Sequence, residues 1–402
     1  MEKIDQEDAL QYRTDPRSGN QLSVLGYGCM RFTRKNGVIN QDKANMEMAL
    51  ALEKGVNYFD TAYLYPGSEE CLGRFLQEYG CRDQVFIATK LPQYRLSKAE
   101  QFDIFFNEEL KRLRTDHIDY YLMHMLNDAQ SWQRLCALGA LKWVQEKKQS
   151  GQIRQIGFSF HGGTEQLKAV VDAYDWDFCQ IQFNYMDEHS QAGIEGLRYA
   201  HEKGLPVVIM EPLRGGKLAR GLPKAALSVF EQTQPQRSPV DWALRWIWDH
   251  PEVTVVLSGM NDLSQVEENC RIAGESLPGQ LNASELEMYA RVLEAVRANT
   301  HVSCTGCGYC QPCPRGVDIP TCFALYNGSY TDGYVNSLRE YFMCTTLRKV
   351  RSNAGLCIKC GKCEQHCPQH IDIRNELQHV KRRFEHPLYK IGAAAAPLIM
   401  RY

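Results

Sequence analysis

The sequence has no run near the roughly 18 consecutive apolar residues that a membrane-spanning helix needs. The apolar tail Ala393-Ala394-Ala395-Ala396-Pro397-Leu398-Ile399-Met400 is too short for that. Met1–Leu10 is polar and acidic, without the apolar core of a signal peptide. The expectation is a cytosolic protein with no membrane partner. Charge of one sign is also missing. Lys and Arg number 46 against 48 Asp and Glu, a net charge of −2, so nothing points to nucleic acid or an anionic membrane surface. The basic run Lys381-Arg382-Arg383 is short and reads as a solvated helix face. No Gly-x-Gly-x-x-Gly follows the first predicted strand, which argues against a doubly wound dinucleotide fold. There is no internal repeat beyond strand–helix alternation and no long low-complexity tract.

The chain of 402 residues is 44% hydrophobic and 23% charged, a normal globular balance with room for a barrel and a smaller module. Strands are expected at 22–30, 57–61, 85–90, 117–124, 154–160, 179–184, 206–211 and 253–258. Amphipathic helices such as 41–54, 100–113 and 239–250 separate them. Eight such units in about 250 residues predict an α/β protein with a closed (β/α)8 TIM barrel. An open doubly wound sheet is the alternative. Trp242, Trp246 and Trp248 read as packing. A helix over 284–298 reads as a connector, after which the composition changes. This divides the chain into residues 1–298 and 299–402.

Polar side chains close three successive apolar strands, where a barrel carries its active site. Asp60 ends Asn57-Tyr58-Phe59-Asp60, Lys90 ends Val85-Phe86-Ile87-Ala88-Thr89-Lys90, and His124 ends Tyr121-Leu122-Met123-His124; Tyr65 follows in the loop after Asp60. The set suits carbonyl reduction. Tyr65 can give the oxygen its proton, Lys90 can stabilise the phenolate left behind, Asp60 can pair with Lys90, and His124 can orient the carbonyl.

Here the sequence resembles the aldo-keto reductases. Phe59-Asp60-Thr61-Ala62-x-x-Tyr65 matches their Asp/Tyr motif, Lys90 and His124 fall where that family keeps its other catalytic residues, and Val24-Leu25-Gly26-Tyr27-Gly28 is similar to their first strand. The resemblance covers about residues 11–275. It implies NAD(P)H-linked carbonyl reduction, with Ser159 and Gln180 holding the carboxamide and Ser258, Gly259, Glu268 and Asn269 along the rest of the cofactor. Three departures stand out. Phe160 replaces the family's Asn, Met210 occupies the place of a stacking Tyr, and the loop Ser258–Gln265 has no Lys or Arg for a 2′-phosphate, so any NADPH preference is expected to be weak.

Ten of the sixteen cysteines lie between Cys304 and Cys367. In a reducing compartment such a cluster signals metal before disulfides. Cys357-x2-Cys360-x2-Cys363-x3-Cys367-Pro368 is the bacterial ferredoxin run, and Cys304-x2-Cys307-x2-Cys310-x2-Cys313-Pro314 is one residue tighter. In two-cluster ferredoxins the fourth Cys serves the other cluster. One [4Fe-4S] set is therefore Cys304, Cys307, Cys310 and Cys367, and the other is Cys357, Cys360, Cys363 and Cys313. Paired Cys-x-x-Cys also describes zinc ribbons, the alternative here. Cys322 and Cys344, between the runs, and the six cysteines before residue 300 read as packing residues. The intervening helical stretches, 321–326 and 336–350, resemble mainly α-helical ferredoxin-like domains appended to redox enzymes.

The reading is an oxidoreductase that couples a small-molecule carbonyl or alcohol in the barrel to single-electron transfer through two clusters, with an electron-carrier protein as partner. The competing reading is a non-catalytic electron-transfer or regulatory subunit on a degenerate barrel. Hydride chemistry moves two electrons and a cluster moves one. A flavin that occupies or shares the cofactor site is therefore the alternative to NAD(P)H alone.

Overall fold

The computed structural model describes residues 10–298, 300–331, 333–346 and 350–399. Most of the acidic Met1–Leu10 stretch, the end of the 336–350 helix and Met400 lie outside them. The described residues fall into two compact units, one drawn from Met1–Leu213 and Val240–Leu281, the other from Arg214–Pro239 and Asn282–Tyr402. No helix among them is long and apolar enough to cross a membrane.

In the first unit eight parallel strands close a barrel. They are β1 (Leu25–Gly28), β2 (Tyr58–Asp60), β3 (Phe86–Leu91), β4 (Ile118–Met123), β5 (Ile153–Phe160), β6 (Phe178–Gln182), β7 (Val207–Met210) and β8 (Val253–Ser258). Helices α1 (Gln41–Glu53), α2 (Ser68–Tyr79), α3 (Glu100–Leu113), α4 (Ala129–Ala137), α5 (Ala140–Gln149), α6 (Thr164–Asp172) and α7 (Gly193–Glu202) follow the first six strands. The expected strand 22–30 is three pieces. Gln21–Ser23 pairs antiparallel with Tyr12–Thr14, Leu25–Gly28 joins the barrel, and Cys29–Arg31 turns as a 3-10 helix. A single apolar run cannot signal that break, because Leu22 and Leu25 are both fully buried.

Alternation sends Tyr58, Ala88, Tyr120, Leu122, Phe178, Val208, Val255 and Leu257 into the barrel, where they form one core. Between β7 and β8 the chain makes α8 (Lys217–Arg220), α9 (Lys224–Glu231) and α10 (Pro239–Trp248). Trp242, Trp246 and Trp248 of α10 are buried, and Trp248 donates its ring N–H to the Val24 carbonyl at 3.1 Å. Each such ring removes about 200 Å² from water, roughly 5 kcal/mol by transfer bookkeeping. After β8 comes α11 (Leu263–Glu275).

The second unit contains α8, α9, α12 (Ala283–Arg297), α13 (Ile319–Thr331), α14 (Tyr334–Tyr341), α15 (Ile373–Phe384) and α16 (Pro387–Ile399). A capping box between Asn282 and Glu285 starts α12. Ile319, Cys322, Phe323, Tyr341, Leu377, Val380 and Phe384 make its core, with Cys304, Cys310, Cys313, Cys357, Cys363 and Cys367 packed against it. Glu385 ties the approach to the second cysteine run, accepting from Tyr341 Oη at 2.8 Å, Asn353 Nδ2 at 3.0 Å and Gly355 N at 2.7 Å.

Candidate active site and cysteine loops

Strand register fixes the barrel site. Asp60 lies opposite Ala88, Lys90 is two residues further along β3 and lies opposite Leu122, and His124 is two residues beyond that. With a side-chain period of two, Asp60, Lys90 and His124 share the inward face at the C-terminal rim. Lys90 Nζ meets Asp60 Oδ1 at 2.6 Å and the Thr61 carbonyl at 2.7 Å, and Gln180 Nε2 donates to Asp60 Oδ2 at 2.9 Å. Burial pushes the Asp60 carboxyl up, while Lys90 and Gln180 pull it back.

Tyr65 is half-buried in the loop that leads into α2. Its ring centroid is 5.3 Å from Lys90 Nζ and 6.2 Å from the His124 ring, which it meets edge-on at 87°. The four residues expected to act together are thus within one cluster. His124 is 1% exposed, and its Nδ1 has no hydrogen-bond partner. Burial, then Lys90 and His161, hold its pKa well below 6.5, so the ring is neutral at pH 7.

His161 escaped the sequence reasoning. It ends β5 as His124 ends β4, so the rule that singled out polar strand ends would have found it. Its ring is buried, its Nδ1 lies 3.2 Å from Gln191 Oε1, and burial takes its pKa down to about 4. Gln191 donates to Gln182 Oε1 at 3.0 Å, and Gln182 donates to Asp187 at 2.7 Å, which makes a buried polar network at the ends of β5 and β6.

The expected cofactor residues divide. Ser159 lies opposite Gln180 across β5 and β6, and its Oγ accepts from Met125 N at 2.9 Å. Gln180 gives one amide N–H to Asp60 and keeps its carbonyl oxygen. Alternation turns Phe160 to the opposite side of β5 from Ser159; it is fully buried beside Phe158, at 6.3 Å. Met210 packs on the barrel core. At the end of β8, Asn269 Nδ2 donates to Ser258 Oγ at 2.9 Å, while Asn269 Oδ1 is buried without a partner. Glu268 is half-buried on the same helix. An orphaned buried acceptor suits a base amino group. The Arg31 side chain lies over Gly259, 3.3 Å from where a Cβ would stand, so a larger residue there would crowd it. These residues fit an extended dinucleotide.

The loop Ser258–Gln265 carries no cation of its own, but other elements bring two to it. Arg31 lies against Gly259 with its guanidinium 3.8 Å from Glu211, and Lys43 of α1 is 3.9 Å from Asp262.

In the second unit the two cysteine loops repeat one backbone design. Gly306 (φ 75°) and Lys359 (φ 58°) sit two residues after Cys304 and Cys357, and each donates its N–H to that sulfur at 3.4 Å. Gly308 (φ 81°) and Gly361 (φ 77°) follow the next cysteines. Cys304, Cys307, Cys310 and Cys367 line one cleft with Phe323, Ile371 and Ile373, an empty volume of about 310 Å³ that is partly open to solvent. Burial, with Cys304, Cys307 and Cys367 adding, pushes the Cys310 thiol well up. Burial, with Glu364, Cys357 and Cys313 adding, pushes Cys363 up to about 11. Cys367, the fourth cysteine of the second run, thus lies with the first three of the first run, and Cys313 and Cys357 lie near Cys363. Among the described residues no group of His, Cys, Asp or Glu gathers as ligands of a single ion. The thiols ring a larger space and fit a cluster. Cys322 is buried, as are five of the six cysteines before residue 300, and Cys136 is half-buried.

Residues 24–283 match the model of the aldo/keto reductase family, and residues 303–371 match that of the 4Fe-4S dicluster domain. L-galactose dehydrogenase of Arabidopsis thaliana is 25% identical over 72% of this chain and 96% of its own length. Aldo-keto reductase YhdN of Bacillus subtilis is 24% identical over 67% and 90%. The holo form of aldo-keto reductase AKR11C1 from Bacillus halodurans superposes with a TM-score of 0.58 at 26% identity, covering 70% of this chain and 96% of that one. The chain belongs to the aldo/keto reductase family, as an oxidoreductase whose (β/α)8 barrel carries a C-terminal 4Fe-4S dicluster domain.

Proposed function

We propose that the barrel is a carbonyl reductase using a nicotinamide, and that residues 299–402 hold two [4Fe-4S] clusters that exchange single electrons with a carrier protein. The observation that carries the reading is the buried Lys90–Asp60 pair at 2.6 Å with the Tyr65 ring beside it. Unless the cation serves the Tyr65 hydroxyl, a buried ion pair at a cleft rim has little reason to be there, because desolvation offsets most of its Coulombic gain.

Ser159, Ser258, Gly259, Glu268 and Asn269 would hold a nicotinamide dinucleotide, which would supply the hydride. Tyr65 gives its hydroxyl proton to the carbonyl oxygen. Lys90, held in place by Asp60 and the Thr61 carbonyl, stabilises the phenolate that remains. His124, neutral at pH 7, orients the oxygen without competing for the proton. The placing of Cys367 with the first three cysteines of the first run supports two clusters. A flavin sharing the cofactor site is the second reading; the one-electron centres favour it.

The test begins with anaerobic reconstitution of the full chain, which should bind about eight irons by the two-cubane reading. Tyr65→Phe should then lose about 10²- to 10⁴-fold in carbonyl-dependent NAD(P)H oxidation at saturating cofactor, with iron content unchanged. Unchanged turnover would refute the catalytic assignment, and flavin released on denaturation would decide the second reading.

A further inference from the structure

The cleft formed by Cys304, Cys307, Cys310 and Cys367 has two cationic neighbours that are buried or half-buried. Three residues after β7 the chain enters Arg214-Gly215-Gly216, with φ of 46°, 68° and 92° in succession. Three consecutive left-handed residues are rare, and a left-handed Arg is strained. Here the glycines make the turn and Arg214 bears the strain. The result is that Arg214 Nη2 donates to the Ser303 carbonyl at 3.3 Å while Lys217, one turn on, donates to the Cys304 carbonyl. Arg214 is buried and Lys217 half-buried. All four residues lie in the second compact unit.

The second loop differs. Arg374 lies over Gly361 but is paired with Glu364 at 2.8 Å, and Lys359 and Lys362 stand exposed. Its cations are neutralised or screened by water.

We propose that Arg214 and Lys217 set the reduction potential of the centre held by Cys304, Cys307, Cys310 and Cys367, and of that centre alone. The inference rests on the two-cluster reading above. Reduction adds one electron to a centre already made anionic by four thiolates. A cation in a partly buried site stabilises the added charge far more than one in water. The two residues are therefore tuning residues: they touch the backbone that carries Cys304 and act through their charge.

The test is an anaerobic redox titration of the reconstituted full chain, followed by electron paramagnetic resonance. Wild type should give two waves, and Cys307→Ser identifies which belongs to the first loop. Lys217→Met and Lys217→Gln should move that wave to more negative potential and leave the other where it was. Arg214→Gln should move the same wave, and Lys217→Arg should restore it. The proposal is overturned if the wave stays put, if both waves move alike, if Lys217→Arg behaves like Lys217→Met, or if the neutral variants lose that centre's iron, which would make Lys217 a structural prop. A wild-type protein with one wave and half the iron would instead sink the two-cluster reading, before any variant is made.

Discussion

At the barrel rim, Lys90 is fixed by the Asp60 carboxylate and the Thr61 carbonyl, and Asp60 by Gln180, so the charged groups complete one another within the strands. In the cysteine loops, Cys304 and Cys357 each accept one backbone N–H, and burial raises the Cys363 thiol to about 11. The first site is organised by the fold. The second is a set of thiols around a space and needs a deprotonating metal centre to complete it. Two kinds of chemistry in one chain thus depend on different sources of order.

Removing the clusters tests that difference most severely. All six tryptophans, from Trp132 to Trp248, lie in the first unit, so their fluorescence reports the barrel alone. Chelation under oxidising conditions should raise amide exchange across residues 303–316 and 353–371 to the level of open loops. Tryptophan emission and the protection of β2, β3 and β4 should hold. Loss of barrel protection along with the clusters would break the comparison.

Acid should act in the opposite sense, on the barrel. His161 is buried with a pKa of about 4 against an ordinary value of 6.5. Between those values the unfolded chain binds the proton and the folded one does not, so stability falls as pH drops from about 6.5 to 4. The full loss is about 3 kcal/mol at 1.36 kcal/mol per unit. His124, also held neutral, adds to the slope in the same direction. Denaturant titrations at pH 7 and pH 5, read by tryptophan emission, should show a steeper pH dependence in wild type than in His161→Gln. Equal slopes would remove His161 from the account.

Much of this was legible before any coordinates. Asp60, Lys90 and His124 each close an apolar strand, and a costly polar residue at that position is a signal that survives in a single sequence. The cysteine spacing marks both loops and places Cys367 with Cys304, Cys307 and Cys310, as the cleft has it. What stayed hidden depends on tertiary approach. Gln180 reads as a cofactor ligand, and nothing in the sequence shows that one of its amide N–H groups goes to Asp60, a residue 120 positions away in the chain. Phe160 reads as a change facing the nicotinamide, but strand alternation turns it to the other side of β5 from Ser159. Arg383 reads as part of a solvated basic face, yet its guanidinium lies 4.3 Å from the Tyr330 ring and it donates to Ser329 Oγ at 3.2 Å. Arg214 and Lys217 sit in a glycine turn with no motif to mark them.

The smallest expected effect concerns Arg31, and it sharpens what preorganised means at the barrel rim. The loop Ser258–Gln265 lacks a cation, which by itself predicts indifference between NADH and NADPH. The fold supplies one from the turn after β1. The Arg31 stem covers Gly259, and Asn261 Nδ2 donates to the Arg31 carbonyl at 3.3 Å, so the turn and the loop are held together. Its guanidinium is 3.8 Å from Glu211, too far for a close pair, and its side chain is 38% exposed. A loosely paired, partly exposed cation at the end of β8 is available to a phosphate. Exposure limits its worth to about 1.4 kcal/mol, a factor of ten in Kd. Arg31→Ala should therefore weaken NADPH binding about tenfold and NADH binding much less. Equal weakening of both would assign Arg31 to the diphosphate that the two cofactors share. No change in either, measured by fluorescence titration of the reconstituted protein, would leave the 2′-phosphate without a partner from the β1 turn and return the cofactor preference to the loop itself.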